Sequence, residues 1–125
     1  MLLSEDRCAA AEIVRNEHGQ AEYLVYDDIG CMLDQEVEHG SDRVQSRYVR
    51  DYDRRDWIDA RAAFFLRAPG DRIRTPMGSN IVAFSRRSGA QPYLDAVGGE
   101  SFDGFAALHE ARVTGKKGIE TTPAR

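Results

Sequence analysis

The stretch that decides the fold is residues 26–33, which read Tyr26-Asp27-Asp28-Ile29-Gly30-Cys31-Met32-Leu33. The run before it, residues 21–26, is rich in aromatic and β-branched side chains and predicts a strand. Asp27 or Asp28 can then cap a helix by accepting hydrogen bonds from its first backbone N–H groups. Apolar residues continue from Ile29 at close to helical spacing, and Gly40 is the expected end. The stretch therefore predicts a change from strand to helix.

The same stretch places a thiol and a thioether side by side, at Cys31 and Met32. The whole chain has only two cysteines and three methionines. Thiolate and thioether groups are soft ligands, which select Cu(I) over hard cations. Cys31 falls in the first turn of the predicted helix, where the helix dipole is expected to lower the pKa of a thiol. Both residue types are also common in protein cores, so a purely structural role stays open.

A third sulfur lies in the sequence Thr75-Pro76-Met77-Gly78-Ser79-Asn80. Pro76 disfavours helix at the preceding residue, and Gly78 permits close approach of the backbone. The segment therefore predicts a loop just before a strand at residues 81–85. Functional side chains are often displayed on such loops, and the alternative is a turn methionine that covers the sheet.

The remaining sequence alternates between strand and helix patterns, which predicts an α+β protein with small antiparallel sheets and packed helices. Residues 114–125, rich in Gly, Lys and Thr, are expected to form a flexible C-terminal tail. Residues 8–113 are then left as a single domain. The further elements predicted are a hairpin over 11–26, strands at 46–52 and 57–66, and helices at 88–97 and 102–113.

Composition and motif content exclude several function classes. The net charge of -4, from 17 basic and 21 acidic residues, argues against nucleic acid as the main partner. No apolar run approaches the roughly 20 residues that cross a bilayer, and the acidic start is too short for a signal peptide. His18, His39 and His109 lack zinc-type spacing, and there is no phosphate-binding loop or nucleophile elbow.

Taken together, these motifs resemble the NosL family, the nitrous oxide reductase accessory lipoproteins. The resemblance covers residues 8 to about 108. It is carried by residues 26–33, by Tyr48-Val49-Arg50-Asp51-Tyr52 with Trp57-Ile58-Asp59-Ala60, by Thr75-Pro76-Met77-Gly78 leading into Ile81-Val82-Ala83-Phe84, and by Ala96-Val97-Gly98-Gly99 with Phe105.

The resemblance implies ββαβ units, a fold similar to that of organomercurial lyase, and a Cu(I) metallochaperone rather than an enzyme. Cys31, Met32 and Met77 match the motif sulfurs and are carried over as Cu(I) ligands. Many family members have the order Cys-Gly-Met, whereas this chain reads Gly30-Cys31-Met32. Because adjacent residues on a helix point about 100° apart, which of Cys31 and Met32 faces the metal is left open.

The resemblance also implies a partner and a location. The partner is nitrous oxide reductase or its maturation machinery, in denitrification. The location is extracytoplasmic, either periplasmic or membrane-anchored through lipid, although the chain taken alone carries no such signal. Cys8 is not preceded by an apolar segment long enough for a lipidated residue.

Two alternatives stay open. One is a thiol-dependent enzyme, in which Cys8 would reach Cys31 and Asp28 would supply a proton. The other is a metal-free binding module in which the sulfurs pack in the core. The exposure of Cys31 separates this second alternative from a metal carrier.

Overall fold

The elements follow one another in the order that the sequence patterns indicate, with three differences of position. The computed structural model describes residues 7–70 and 72–121, the last six of these by backbone alone. The elements are β1 (Ala10–Arg15), β2 (Ala21–Tyr26), α1 (Ile29–His39), β3 (Val44–Arg50), β4 (Trp57–Asp59), a 3₁₀ turn (Ala60–Ala62), β5 (Phe64–Arg67), β6 (Ile81–Phe84), α2 (Arg87–Val97), β7 (Glu100–Asp103) and α3 (Phe105–Thr121).

The strands form two antiparallel sheets, which confirms the predicted α+β class. The four-stranded sheet has the order β2-β1-β3-β4, and the three-stranded sheet has the order β6-β5-β7. In the first sheet, Ala10 of β1 lies opposite both Tyr26 and Val49. Strand β2 is an edge strand, and its last residues lead directly into α1.

Helix α1 begins and ends where the local signals place it. Asp28 is the N-cap, and its Oδ1 accepts a hydrogen bond from the Gly30 N–H at 2.8 Å. Gly40 ends the helix at φ 84°, a conformation that favours glycine, and its N–H donates to the Glu36 carbonyl. Between these caps, Ile29, Met32, Leu33 and Glu36 recur at helical spacing and form the buried face.

Two clusters of buried side chains stabilise the fold. The first joins α1 and α3 to both sheets, and the second joins α2 to the three-stranded sheet. The first contains Ala10, Ile29, Met32, Leu33, Val49, Ala60, Ala63, Phe65, Ile81, Ala83, Phe105 and Leu108. The second contains Cys8, Phe64, Leu66, Ala68, Ile73, Val82, Phe84 and Ala90.

The prediction of one strand over residues 57–66 is wrong. Asp59 accepts a hydrogen bond from the Arg61 N–H at 2.9 Å, which starts a 3₁₀ turn in the middle of that run. As a result, β4 pairs in the four-stranded sheet and β5 pairs in the three-stranded sheet. A side chain that bonds to a backbone group two residues on competes with strand pairing, and here it divides the run. The predicted strand at 46–52 is also displaced, because β3 spans Val44–Arg50.

The predicted helix over residues 102–113 starts too early. Phe102 belongs to β7 and lies opposite Phe65 of β5. Gly104, at φ 91°, turns the chain after β7, and α3 begins at Phe105. The helix runs to Thr121, so part of the predicted tail is helical; the flexibility of that segment stays a prediction. Residues 122–125 lie outside the described part of the chain. None of the described helices is long and apolar enough to cross a membrane.

Candidate metal-binding site

An open cavity of about 640 Å³ lies beside the junction of β2 and α1. Strand, helix and loop segments that are far apart in sequence all contribute to its wall. The lining residues are Ala9, Val25, Tyr26, Asp27, Cys31, Arg50, Trp57 and Met77. Two of the three sulfur side chains singled out in the sequence are therefore in one cavity.

The structure brings Cys31 and Met77 together and separates Met32 from them. Cys31 is half-buried in the first turn of α1, and the Met77 side chain is 65% exposed. Met32 is fully buried in the first core cluster and does not line the cavity. The reason is helical geometry, because neighbouring residues point about 100° apart and Met32 continues the face formed by Ile29 and Leu33.

Three further residues shape the cavity, and sequence patterns assigned none of them to a site. Trp57 keeps 41% of its surface exposed, and the guanidinium of Arg50 lies 4.2 Å from the centre of its ring. Tyr26, the last residue of β2, forms another part of the wall. No sequence pattern links these residues, because each lies at the end of a strand. Arg50 and Trp57 become neighbours only when β3 pairs with β4.

The loop that carries Met77, residues 75–80, is attached to the start of α1 through the carboxylate of Asp28. Oδ2 of Asp28 accepts hydrogen bonds from the Thr75 hydroxyl at 2.5 Å and from the Met77 N–H at 2.8 Å. Oδ1 accepts from the Gly30 N–H at 2.8 Å and from the Ser79 hydroxyl. Asp28 is fully buried, so one carboxylate both caps the helix and fixes the Met77 loop.

These hydrogen bonds keep Asp28 ionised. Burial by itself raises the pKa of a carboxyl group, because it disfavours the charged form. The hydrogen bonds from Ser79, Thr75, Gly30 and Met77 outweigh this effect, and the pKa of Asp28 lies below its ordinary value. At neutral pH the group is an acceptor with no proton to donate.

The prediction of a lowered pKa at Cys31 is wrong. Burial raises the pKa of the Cys31 thiol, and the nearby carboxylates of Asp28, Asp27 and Asp34 raise it further. Arg112 acts in the opposite direction, but its guanidinium is paired with Asp34 at 2.9 Å. Cys31 is therefore a thiol at neutral pH, and a metal ion that binds it must displace a proton.

A second group of ionisable side chains lies behind the cavity wall. The Tyr26 hydroxyl donates to Oε1 of Glu12 at 2.8 Å. Burial raises the pKa of Glu12 to about 7, and the neighbouring Glu36 adds to the rise. Arg47 donates two hydrogen bonds of 2.6 Å to the Glu36 carboxylate. Burial and Glu12 also raise the pKa of Tyr26, so its phenol is neutral in the cavity wall.

A cavity of similar volume, about 600 Å³, lies between α1 and α3. Its two arginines are already paired, Arg47 with Glu36 at 2.6 Å and Arg61 with Asp59 at 2.8 Å. Within the described residues, no group of three or more His, Cys, Asp and Glu side chains is arranged to hold a metal ion. The sulfur-lined cavity is the candidate site because it brings a thiol and a thioether into one wall.

Comparison with known proteins agrees with this fold. The sequence model of the NosL family matches residues 1–113. Among solved structures, the copper chaperone NosL from Shewanella denitrificans is similar, with a TM-score of 0.63 and 19% sequence identity. The similarity covers 82% of this chain and 81% of that chain and shows a shared fold. Comparison with curated proteins gave no match. Because the family model spans most of the sequence, the chain belongs to the NosL family.

Proposed function

We propose that this protein is a copper chaperone that carries Cu(I) on Cys31 and Met77 and passes it to another protein. The observation that carries the proposal is that a thiol and a thioether from separate segments line one open cavity. Two sulfur donors form a soft ligand set, which suits Cu(I) better than Zn²⁺, Ca²⁺ or Mg²⁺. Family membership and the name of the similar solved structure support the same assignment.

The exposure of the site suits a carrier. A chaperone must release its metal by ligand exchange with an acceptor, so at least one ligand must be accessible. Met77 is 65% exposed on the loop of residues 75–80, and Cys31 is half-buried in the wall of the same cavity. Met32 is left out of the proposed ligand set, because its side chain is fully buried among core residues.

Two features of the structure weigh against a thiol-dependent enzyme. Such an enzyme would need Cys8 near Cys31, but Cys8 is 3% exposed and packs in the second core cluster. It would also need Asp28 as a proton donor. The Asp28 carboxylate accepts five hydrogen bonds from the helix and the loop, and its pKa is lowered. A carrier requires neither group.

The test is Cu(I) binding under anaerobic conditions, measured by competition with a chromophoric chelator. We expect wild type to bind one equivalent tightly, and Cys31→Ser to lose tight binding. Met77→Leu should weaken binding by about tenfold, equivalent to about 1.4 kcal/mol. Met32→Leu is the matched control, because it removes a thioether at nearly constant volume from the core. Equal affinity in wild type and Cys31→Ser would contradict the proposal.

The acceptor we propose is nitrous oxide reductase or its maturation machinery, by family membership. Copper-loaded protein mixed with copper-free nitrous oxide reductase should transfer its metal, measured as copper content after the two proteins are separated. The apo chain is the control. Failure of transfer, with tight Cu(I) binding retained, would contradict the acceptor and leave the carrier role in place.

We propose an extracytoplasmic location, periplasmic or membrane-anchored, on the same family basis. Cell fractionation of the native host tests it. Recovery of the protein only with cytoplasmic markers would contradict the location.

A further inference from the structure

We propose that Asp28 is a positioning residue that sets the Cu(I) affinity by holding Met77 beside Cys31, an inference that rests on the copper site proposed above. Asp28 does not line the cavity, and it is fully buried. It acts through the two segments that carry the sulfur ligands.

The first support is that the carboxylate of Asp28 is hydrogen-bonded to both segments that carry the sulfur ligands. Oδ1 bonds to the Gly30 N–H inside the first turn of α1, next to Cys31. Oδ2 bonds to the Met77 N–H and to the Thr75 hydroxyl of the loop. The carboxylate thus connects the backbone beside one ligand to the backbone of the other.

The second support is that the loop's internal hydrogen bonds shape the turn without attaching it to the helix. The Gly78 N–H donates to the Thr75 carbonyl at 3.0 Å, and the Asn80 N–H donates to the Thr75 hydroxyl at 3.0 Å. The Ile81 N–H donates to the Ser79 hydroxyl at 3.2 Å. Attachment to α1 goes through Asp28, and a buried carboxylate strongly favours keeping its donors because an unpaired buried charge is costly.

The third support is the close approach of loop and helix at Gly30. A Cβ atom at this position would clash with the side chain of Ser79 and lie 3.2 Å from Oδ1 of Asp28. The loop therefore sits directly on the first turn of α1, with no room for a methyl group between them. This contact places the Met77 loop against the helix start beside the cavity.

The consequence is preorganisation of the second ligand. If the loop is fixed before the metal arrives, binding does not have to order it. If the attachment is lost, both sulfurs remain, but part of the binding free energy is used to order the loop. Cu(I) affinity should then fall even though no ligand has been removed.

The central experiment compares Asp28→Asn with Asp27→Asn by chelator competition. An asparagine at 28 keeps the shape, but its NH₂ group faces N–H and O–H donors in place of an acceptor. Asp27 lines the same cavity, and both carboxylates raise the pKa of Cys31, so the control removes the same charge beside the thiol. We expect about a tenfold loss of affinity in Asp28→Asn and less than about threefold in Asp27→Asn.

A double-mutant cycle separates positioning from general destabilisation. If Asp28 acts through Met77, Asp28→Asn should lower the affinity of wild type but leave the affinity of Met77→Leu nearly unchanged. An equal loss in both backgrounds would overturn the positioning role. Because Asp28 also caps α1, Thr75→Val is a second variant that leaves the cap in place. It removes the Thr75 hydroxyl, which donates to Asp28 and accepts from the Asn80 N–H. Thr75→Val should also lower the Cu(I) affinity, by a smaller factor than Asp28→Asn.

Amide hydrogen exchange of the metal-free protein gives a readout independent of copper. The Met77 N–H donates to Asp28, so its exchange should be slow in wild type and in Asp27→Asn, and faster in Asp28→Asn. Fast exchange of this amide in wild type would overturn the inference.

The two proposals fail in different ways. If Cys31→Ser binds Cu(I) as tightly as wild type, the copper site and the positioning role both fail. If Cys31→Ser loses binding while Asp28→Asn behaves like Asp27→Asn, the copper site stands and only the role of Asp28 is wrong.

Discussion

Two pairs of sulfur side chains occupy contrasting environments in this protein. Cys31 and Met77 line an open cavity, whereas Cys8 and Met32 are buried in the two core clusters. Met77 is 65% exposed and Met32 is 0% exposed, although the residue type is the same. Sulfur chemistry therefore identifies candidates for a soft metal site, and position in the fold determines which of them a metal ion can reach.

Replacing each cysteine in turn should give the largest difference in Cu(I) affinity between the cavity and the core. Cys31→Ser replaces the thiol ligand with a hydroxyl, and we expect Cu(I) affinity to fall by about a thousandfold, equivalent to about 4 kcal/mol. Cys8→Ala should leave the affinity within about threefold of wild type, because Cys8 lies in the second core cluster. Chelator competition measures both, and a comparable loss in the two variants would show that the comparison is wrong.

For the two methionines, truncating the buried side chain should lower the stability much more than truncating the exposed one. Met32→Ala removes a fully buried side chain and should lower the free energy of unfolding by about 2–4 kcal/mol. Met77→Ala should change it by less than about 0.5 kcal/mol, since the side chain is exposed. Urea denaturation of the apo proteins measures both values. Equal destabilisation would mean that Met77 is part of the core in solution.

A second comparison concerns two carboxylates. Asp28 and Glu12 are both buried, but their pKa values shift in opposite directions. The pKa of Glu12 is raised from 4.5 to about 7, so its stabilising contribution is complete below pH 4.5 and is lost as the pH rises through 7. The lowered pKa of Asp28 has the reverse effect, and its contribution is lost as the pH falls below 3.8 and through the lowered pKa.

Glu12→Gln tests this assignment. Glutamine still accepts from Tyr26 but does not ionise, so the variant should gain stability relative to wild type between about pH 5 and pH 8. The gain should be on the order of 2 kcal/mol, measured from urea midpoints across that range. Parallel pH profiles of the two proteins would contradict a Glu12 pKa near 7.

The smallest perturbation is chemical modification of the native thiols. Cys31 is half-buried at the cavity and Cys8 is 3% exposed, so a thiol reagent should label Cys31 first. Because the pKa of Cys31 is raised, its labelling rate should keep increasing as the pH rises above neutral. Mass spectrometry after partial reaction identifies the labelled residue. Resistance of Cys31 in the native state would favour a metal-free module with structural sulfurs.

Local signals predicted the elements around the site well. The aromatic run of β2, an aspartate cap at Asp27 or Asp28 and the Gly40 end act within a few residues. The structure confirms the strand and the Gly40 end, and of the two aspartates it is Asp28 that caps the helix. The division of residues 57–66 and the pairing of Phe102 in β7 were missed. Both depend on contacts with distant parts of the chain or on a competing side-chain hydrogen bond, which periodicity does not register.

Residue types and local patterns were enough to predict the α+β class, the end of α1 at Gly40, the family and the sulfur residues suited to Cu(I). The packing of distant segments was needed to show that Met32 faces the core, that Cys31 and Met77 share a cavity, and that burial raises the pKa of Cys31. The difference comes from the separation in sequence over which each interaction acts. Caps and side-chain chemistry are properties of neighbouring residues, whereas burial, desolvation and the contact between Asp28 and the Met77 loop exist only when distant segments pack together.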